Sequence, residues 1–258
     1  MRRTISIATA VTLALSVAVA APASATTGTI DTGDIDQWLT ATVKVKDAVV
    51  VGKKSKKLVI DVYYDASNDF VLAYDNYIIL ETAGGLGFDT FDLVDVSDDH
   101  QRVVLSVPPA VYTDRWYVGL SASANIWDDY WGDYEGIEYL YDDRVASFTT
   151  KRNVILKTNA TPEPVKKGAK VTVKGTVDAL GFTAAGKPYY KDYSNKTLRI
   201  YFNPTGPKPE KYMGSVRTNK KGVYSKKFTQ KVAGTWRVAS AASKTYAAAS
   251  AKDAVRVR

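Results

Sequence analysis

Apolar and polar residues alternate with period two through most of this 258-residue chain, and no long segment after residue 25 carries a convincing helical period. Leu58, Ile60, Val62 and Tyr64 alternate with Val59, Asp61 and Tyr63. Val171, Val173 and Val177 alternate with Thr172, Lys174 and Thr176, and Leu198, Ile200 and Phe202 with Arg199 and Tyr201. Further strands are expected at Trp38–Lys46, Tyr77–Thr82, Phe91–Val96, Arg102–Val107, Trp116–Ser123 and Arg144–Thr150. Asn219-Lys220-Lys221-Gly222 reads as a hairpin turn between Ser215–Thr218 and Val223–Phe228. Many short strands at this spacing predict an all-β chain built from stacked sheets.

Charge divides the chain. Residues 26–150 hold 9 Lys and Arg against 22 Asp and Glu, a net of −13, whereas residues 151–258 hold 24 against 5, a net of +19. The sign changes near Lys151–Asn153, where a strand of the first half is expected to end and Val154–Thr158 to open the second. The expected organisation is a leader at 1–25, an acidic sandwich at 26–152 and a basic sandwich at 153–258, each long enough to bury a core. Thr161-Pro162-Glu163-Pro164 is either a linker bend or an edge feature of the first strand of the second half.

Met1-Arg2-Arg3, the apolar run Ile5–Ala21 and the small residues Ala23-Ser24-Ala25 have the order of a cleaved secretion signal. The run is short and ends in Pro22, which argues against a membrane anchor. The expected location is therefore extracellular. Cysteine is absent, so stability has to come from packing and sheet hydrogen bonds, or from a bound ion.

Two segments recur. Gly52–Ile60 resembles Lys166–Val173, each leading to an Asp-Ala pair at Asp65-Ala66 and Asp178-Ala179. Trp116-Tyr117-Val118 with Ala122-Ser123 matches Trp236-Arg237-Val238 with Ala242-Ser243, which makes Trp116 and Trp236 expected core anchors on equivalent strands. In the second half the order Gly168-x-x-Val171-Thr-Val-x-Gly175-Thr-Val, then Leu198-x-Ile200-x-Phe202, Thr218-x-x-x-Gly222-x-Tyr224 and Gly234-Thr-Trp236-Arg237 resembles bacterial immunoglobulin-like repeats of secreted Gram-positive proteins. That resemblance covers roughly residues 154–258 and reaches the first half only through the repeat. It implies two tandem immunoglobulin-like β-sandwich domains after the signal peptide, serving as spacer, adhesive or binding modules without a catalytic motif.

The densest chemistry lies between Trp127 and Asp143, expected to be the loop joining the last two strands of the first half. The candidate ligand contacts are Trp127, Asp128, Asp129, Trp131, Asp133 and Glu135, in a stretch that also holds Tyr130, Tyr134, Tyr139 and Tyr141. Three uses remain open: aromatic faces and carboxylates holding a sugar, carboxylates holding Ca²⁺, or a solvated flap over an edge strand. The spacing fits no EF-hand.

A second candidate is cationic. On three strands expected to be neighbours in one sheet, Arg199, Tyr201, Arg237, Arg256 and Arg258 point outward and would suit an anionic cell-wall polymer or glycan. The halves could instead mask each other's charge. No nucleic-acid motif appears.

Catalytic motifs are weak. Asp31-Thr32-Gly33 lacks the second copy that a carboxylate dyad needs, and Ala83–Gly87 lacks a phosphate-loop lysine. His100, the one histidine, is read as part of a polar turn, and Gly-x-Ser-x-Gly is absent. The expectation is a secreted, non-enzymatic binding protein with no cofactor and no membrane span. Alternatives are a carbohydrate- or calcium-binding module using residues 127–143, or a spacer without ligand.

Overall fold

The computed structural model describes residues 25–31, 39–66, 69–73, 75–85, 89–111, 113–127 and 134–258, with Asp69 and Glu135 described by backbone only. The leader at 1–24 and the greater part of Asp31-Thr32-Gly33 lie outside these residues. Everything regular among them is strand, and no helix there is long and apolar enough to cross a membrane.

The first half contributes β1 (Ala25–Asp31), β2 (Leu39–Lys46), β3 (Ala48–Val51), β4 (Lys56–Ala66), β5 (Asp69–Leu72), β6 (Tyr77–Thr82), β7 (Asp89–Asp92), β8 (Val94–Ser97), β9 (His100–Val107), β10 (Arg115–Trp127) and β11 (Tyr134–Arg152). One sheet runs β1-β2-β4-β9-β8, and the facing sheet runs β3-β11-β10-β6-β7 with β5 also on β10. All these pairings are antiparallel except β3 with β11. The second half contributes β12 (Val154–Thr161), β13 (Lys170–Phe182), β14 (Pro188–Asp192), β15 (Thr197–Pro204), β16 (Lys211–Arg217), β17 (Val223–Thr229), β18 (Gly234–Ser240) and β19 (Ala249–Val255). Here β12-β13-β14, with β17 on β13, faces β16-β15-β18-β19.

The chain is two tandem immunoglobulin-like β-sandwiches. In the first, β2, β4, β9 and β8 share one sheet while β6, β10 and β11 share the other. In the second, β12, β13 and β17 face β15, β18 and β19. Both are the Greek-key partition of that fold. The recurring sequence segments fall on equivalent strands, β4 with β13 and β10 with β18.

Period-two patterning explains the cores. Leu58, Ile60, Val62 and Tyr64 of β4 turn inward against Ile78, Leu120 and Ile126, all nearly inaccessible. Full burial of each such side chain contributes about 1.5–3 kcal/mol. In the second sandwich Trp236 is 1% exposed and sits between Phe202 and Phe228, with ring centroids at 4.8 and 4.5 Å. Its indole Nε1–H donates to the buried Gln230 Oε1 at 3.0 Å, so no polar atom is stranded by the burial. Trp116 departs from the expected equivalence. It is only half-buried, donates to Thr150 Oγ1 at 3.1 Å, and stacks on Phe148 at 6.2 Å. Gly175, opposite Thr158 of β12, cannot carry a side chain, because a Cβ there would stand 1.8 Å from the Lys157 carbonyl oxygen.

Three expectations about local structure are corrected. Phe91–Val96 is not one strand, because buried Leu93 carries the chain from one sheet to the other between β7 and β8. Asn219–Gly222 forms a tight turn, with Asn219 Oδ1 accepting from the Lys221 and Val223 amides. It is not a hairpin turn, since β16 pairs with β15 while β17 pairs with β13. Thr161–Pro164 is not a domain linker but lies at the end of the first strand, because Thr161 closes β12 opposite Thr172 and Val165 then bridges Val257.

A single residue, Asn153, separates β11 from β12. Its amide donates to Val51, its carbonyl accepts from Leu180, and its side chain donates to the Tyr190 hydroxyl at 2.9 Å. Leu180 belongs to the second sandwich by sequence, but its side chain is buried in the first core with Phe182 and Tyr190 against it. The junction is thus apolar and hydrogen-bonded. Its one ion pair among the described residues is Lys244 with Asp114 at 4.0 Å, and Lys244 is well exposed, so the opposite charges of the halves are not mated there.

Candidate functional site

The stretch expected to be a long loop is mostly strand. β10 runs to Trp127 and β11 begins at Tyr134, so only residues 128–133 lie between them. Asp128, Asp129, Trp131 and Asp133 fall in that interval, outside the described residues, and Glu135 is placed only as a backbone position on β11. Trp127 closes the ribbon opposite Tyr134, their rings edge to face at 5.8 Å. The high acid content hid the strand pattern, in which Ile137, Tyr139 and Tyr141 alternate with Leu140 and face out.

The cationic face on β15, β18 and β19 is also partly as expected. The three strands are neighbours, and Tyr201 lies directly opposite Arg237. The Arg237 guanidinium, however, stacks 4.1 Å over the Tyr201 ring and donates both to Glu210 Oε1 at 2.8 Å and to Glu210 Oε2. That bidentate pair holds the Glu210 carboxyl below and Arg237 above their ordinary ranges. Arg199 is exposed. Arg256 and Arg258 lie just beyond β19, which ends at Val255, and both are exposed, flanking Val257, which packs on the core and bridges Val165. There Arg256 Nε approaches Glu163 Oε1 at 3.7 Å.

A more coherent cationic surface lies on the opposite sheet, β12-β13-β17. Its outward positions follow from register. Lys157 stands opposite Thr176 and Thr176 opposite Val223, Asn159 opposite Lys174 and Lys174 opposite Ser225, and Thr161 opposite Thr172 and Thr172 opposite Lys227. Lys170 follows opposite Thr229 and donates to its hydroxyl at 2.9 Å. Lys157, Lys174 and Lys227 therefore step diagonally across three strands, all exposed, among hydroxyl and amide side chains. Among the described residues no carboxylate lies within 4.0 Å of any of these four lysines.

Of the five acids of this half, Asp178 and Asp192 stand at one end of the same face beside Lys157, and the other three are committed elsewhere. Glu163 and Glu210 pair with arginines. Asp253 accepts from the Ala160 amide at 2.7 Å, and burial pushes its carboxyl up. Asp178 and Asp192 are cross-strand neighbours, and burial and then Asp192 raise the Asp178 carboxyl against a lowering from Lys157. The sequence could have revealed the lysine face, because Lys170, Lys174 and the alternating valines were all visible. The missing information was which strands pair.

The first sandwich has two buried polar clusters and a cavity. His100 is not in a turn: it opens β9, nearly buried, with Nε2 2.9 Å from Asp61 Oδ1 and its ring stacked on Tyr63 at 4.3 Å. Burial raises the Asp61 carboxyl, but hydrogen bonds from Arg102 (2.6 Å) and His100 outweigh it and hold the group below the usual range. Buried Gln101 accepts from the Tyr64 hydroxyl at 2.9 Å and from Asn76 Nδ2 at 3.1 Å, and donates to Asp95 at 2.8 Å. A cavity of about 240 Å³ opens between the sheets beside Trp116, Phe91, Leu105 and Phe148, with Asp89, Ser106 and Thr150 as its polar lining. Among the described residues no group of three His, Asp or Glu gathers to hold a metal ion.

No family model matches the chain, and no curated protein matches it. Solved structures with similar shapes include a DUF4785 family protein of Legionella pneumophila (TM-score 0.42, 10% identity, covering 78% of this chain and 52% of that one). They also include a chimeric titin Z1Z2–Z1Z2 tandem (TM-score 0.32, 8% identity, 82% and 95%) and the FN1–FN3 domains of chicken contactin (TM-score 0.27, 11% identity, 85% and 77%). The chain spans about half the length of the Legionella protein. At these TM-scores the fold rests on the sheets and registers above rather than on the likeness.

Proposed function

We propose that this chain is a secreted, non-catalytic binding protein of the cell exterior, an immunoglobulin-like repeat protein of the Gram-positive kind, whose second sandwich holds an anionic envelope polymer. The carrying observation is the face of Lys157, Lys170, Lys174 and Lys227, on which no carboxylate among the described residues lies within 4.0 Å of a lysine, and Asp178 and Asp192 stand at one end beside Lys157. Lysines spread among hydroxyl and amide groups suit a repeating phosphate or carboxylate better than a single small anion. Export is supported by the leader sequence and by its separability, since cleavage after Ala25 leaves Thr26–Asp31 paired to β2.

The test is co-sedimentation of the full mature chain with purified Gram-positive cell wall, before and after removal of its anionic polymers. Binding should require those polymers and should be lost between about 0.1 and 1 M NaCl, as the screening length falls from roughly 10 to 3 Å. Retention that persists in 1 M NaCl, or on stripped wall, contradicts the proposal.

A further inference from the structure

The outward face of the β10–β11 ribbon is uncharged in the most acidic part of the chain. Register puts Ser121 opposite Tyr141, Ser123 opposite Tyr139, Asn125 opposite Ile137 and Trp127 opposite Tyr134. These eight positions carry no formal charge, although the first half has a net of −13. Glu138 and Asp142, which alternate with the outward residues of β11, are turned to the other side by the same register. Glu138 lies opposite buried Ala124 and Asp142 opposite buried Leu120, both on the core side of the ribbon, while Asp143 falls in the irregularity between Asp142 and Ala146.

The neutral face is also strongly apolar at its rim. Tyr139 is 69% exposed, Tyr141 67%, Tyr134 56% and Ile137 46%. Residues two apart on a strand are about 6.7 Å apart, so these side chains form a wall running roughly 20 Å along β11. Beside it the short side chains of Ser121, Ser123 and Asn125 make a lower strip along β10. On the far side of that strip, Tyr77 of β6 stands opposite Ser121, and Val71 of β5 stands opposite Asn125 and is 56% exposed. The result is a shallow trough with aromatic and aliphatic sides and a hydroxyl- and amide-bearing floor.

The geometry points to a binding site for an uncharged polysaccharide chain lying along this trough. Tyrosine rings present flat apolar faces to the C–H faces of sugar rings, and their hydroxyls, with the serine and asparagine floor, exchange hydrogen bonds with sugar hydroxyls. A contiguous exposed aromatic strip of this extent marks an interaction surface rather than ordinary soluble surface. The acidic surroundings, with Asp69 opposite Trp127 and Asp92 opposite Tyr77 at the margin, disfavour an anionic chain, while the serine and asparagine floor and the tyrosine wall carry no charge for a polycation to pair with. This site is separate from the lysine face, on the other sandwich and of opposite preference.

The experiment is titration of the full mature chain with soluble neutral hexaoses of the β-glucan, chitin and mannan series, at 0.1 and 1 M NaCl. At least one series should bind, with an affinity that changes less than twofold between the two salt concentrations. Tyr139→Ala and Tyr141→Ala should each weaken that binding at least fivefold. Both residues are exposed, so melting temperatures should stay at the wild-type value, and retention on anionic cell wall should also be unchanged. Absence of binding to all three series overturns the inference, as does binding that both variants retain. Neither result bears on the lysine face, whose failure would show instead as loss of salt-sensitive wall retention.

Discussion

Gln101→Leu is the sharpest test of how the first sandwich is locked together. Gln101 is 1% exposed and joins Tyr64 of β4 to Asn76, which in turn accepts from the Ser123 amide of β10 at 2.7 Å. The network therefore ties one sheet to the other through side chains. Leucine matches the shape but leaves the Tyr64 hydroxyl without its acceptor and deprives Asn76 Nδ2 of its shorter bond. Asn76 Nδ2 retains only the Ser123 carbonyl at 3.3 Å. Stranding a buried polar group costs about 1–3 kcal/mol, so two partly stranded groups, with Asn76 still beside the Tyr64 hydroxyl, give about 2–3 kcal/mol in all. For a sandwich of this size that lowers the melting temperature by roughly 10 °C. Tyr64→Phe alone should cost about 1 kcal/mol, and Tyr64→Phe/Gln101→Leu less than the sum, because the stranded hydroxyl is gone. Thermal and urea unfolding of the full chain by near-UV circular dichroism would measure all three. A Gln101→Leu protein within 0.5 kcal/mol of wild type, or strictly additive changes, would refute the reasoning.

Other parts of the fold make equally definite predictions. Gly175→Ala should destabilise the second sandwich by about 2 kcal/mol or more, since the methyl group meets the Lys157 carbonyl, and unchanged urea unfolding contradicts that packing. Leu180→Ala should cost about 2–5 kcal/mol and should appear in the unfolding of the first sandwich, where the side chain is buried; calorimetry that moves only the second contradicts the continuous junction. Asp61 titrates below its unfolded value of about 3.9. Its stabilisation is therefore complete above that pH and is lost as pH falls through the lower folded value. Asp61→Asn should flatten the stability profile below about pH 4, and a profile that falls as steeply as wild type removes the Asp61–Arg102–His100 cluster from the account.

The strands were legible because alternation survives burial on one face, as in β2, β4 and β15. Surface chemistry was less so, for three physical reasons. Polar residues such as His100 and Gln101 look like a turn unless their partners, Asp61, Tyr64 and Asn76, are known, and those lie 25 or more positions away. In Tyr134–Asp143 the acids masked a strand whose aromatic face is neutral. The arginine face was inferred from outward direction alone, which cannot show that Glu210 and Glu163 already occupy Arg237 and Arg256. Facing direction follows from period two, whereas neutralisation and neighbourhood depend on register, which the sequence does not carry.

The central claim, that the lysine face holds a polyanion, is tested most directly by the salt dependence of binding. Titration of the full mature chain with inorganic polyphosphate from 50 to 400 mM NaCl gives the slope of log affinity against log salt. Four lysines engaging phosphates predict a slope of about −3, reduced to near zero in the Lys157→Gln/Lys170→Gln/Lys174→Gln/Lys227→Gln protein and unchanged in Arg237→Gln. A quadruple variant that keeps the wild-type slope, or an Arg237→Gln protein that loses it, would contradict the account.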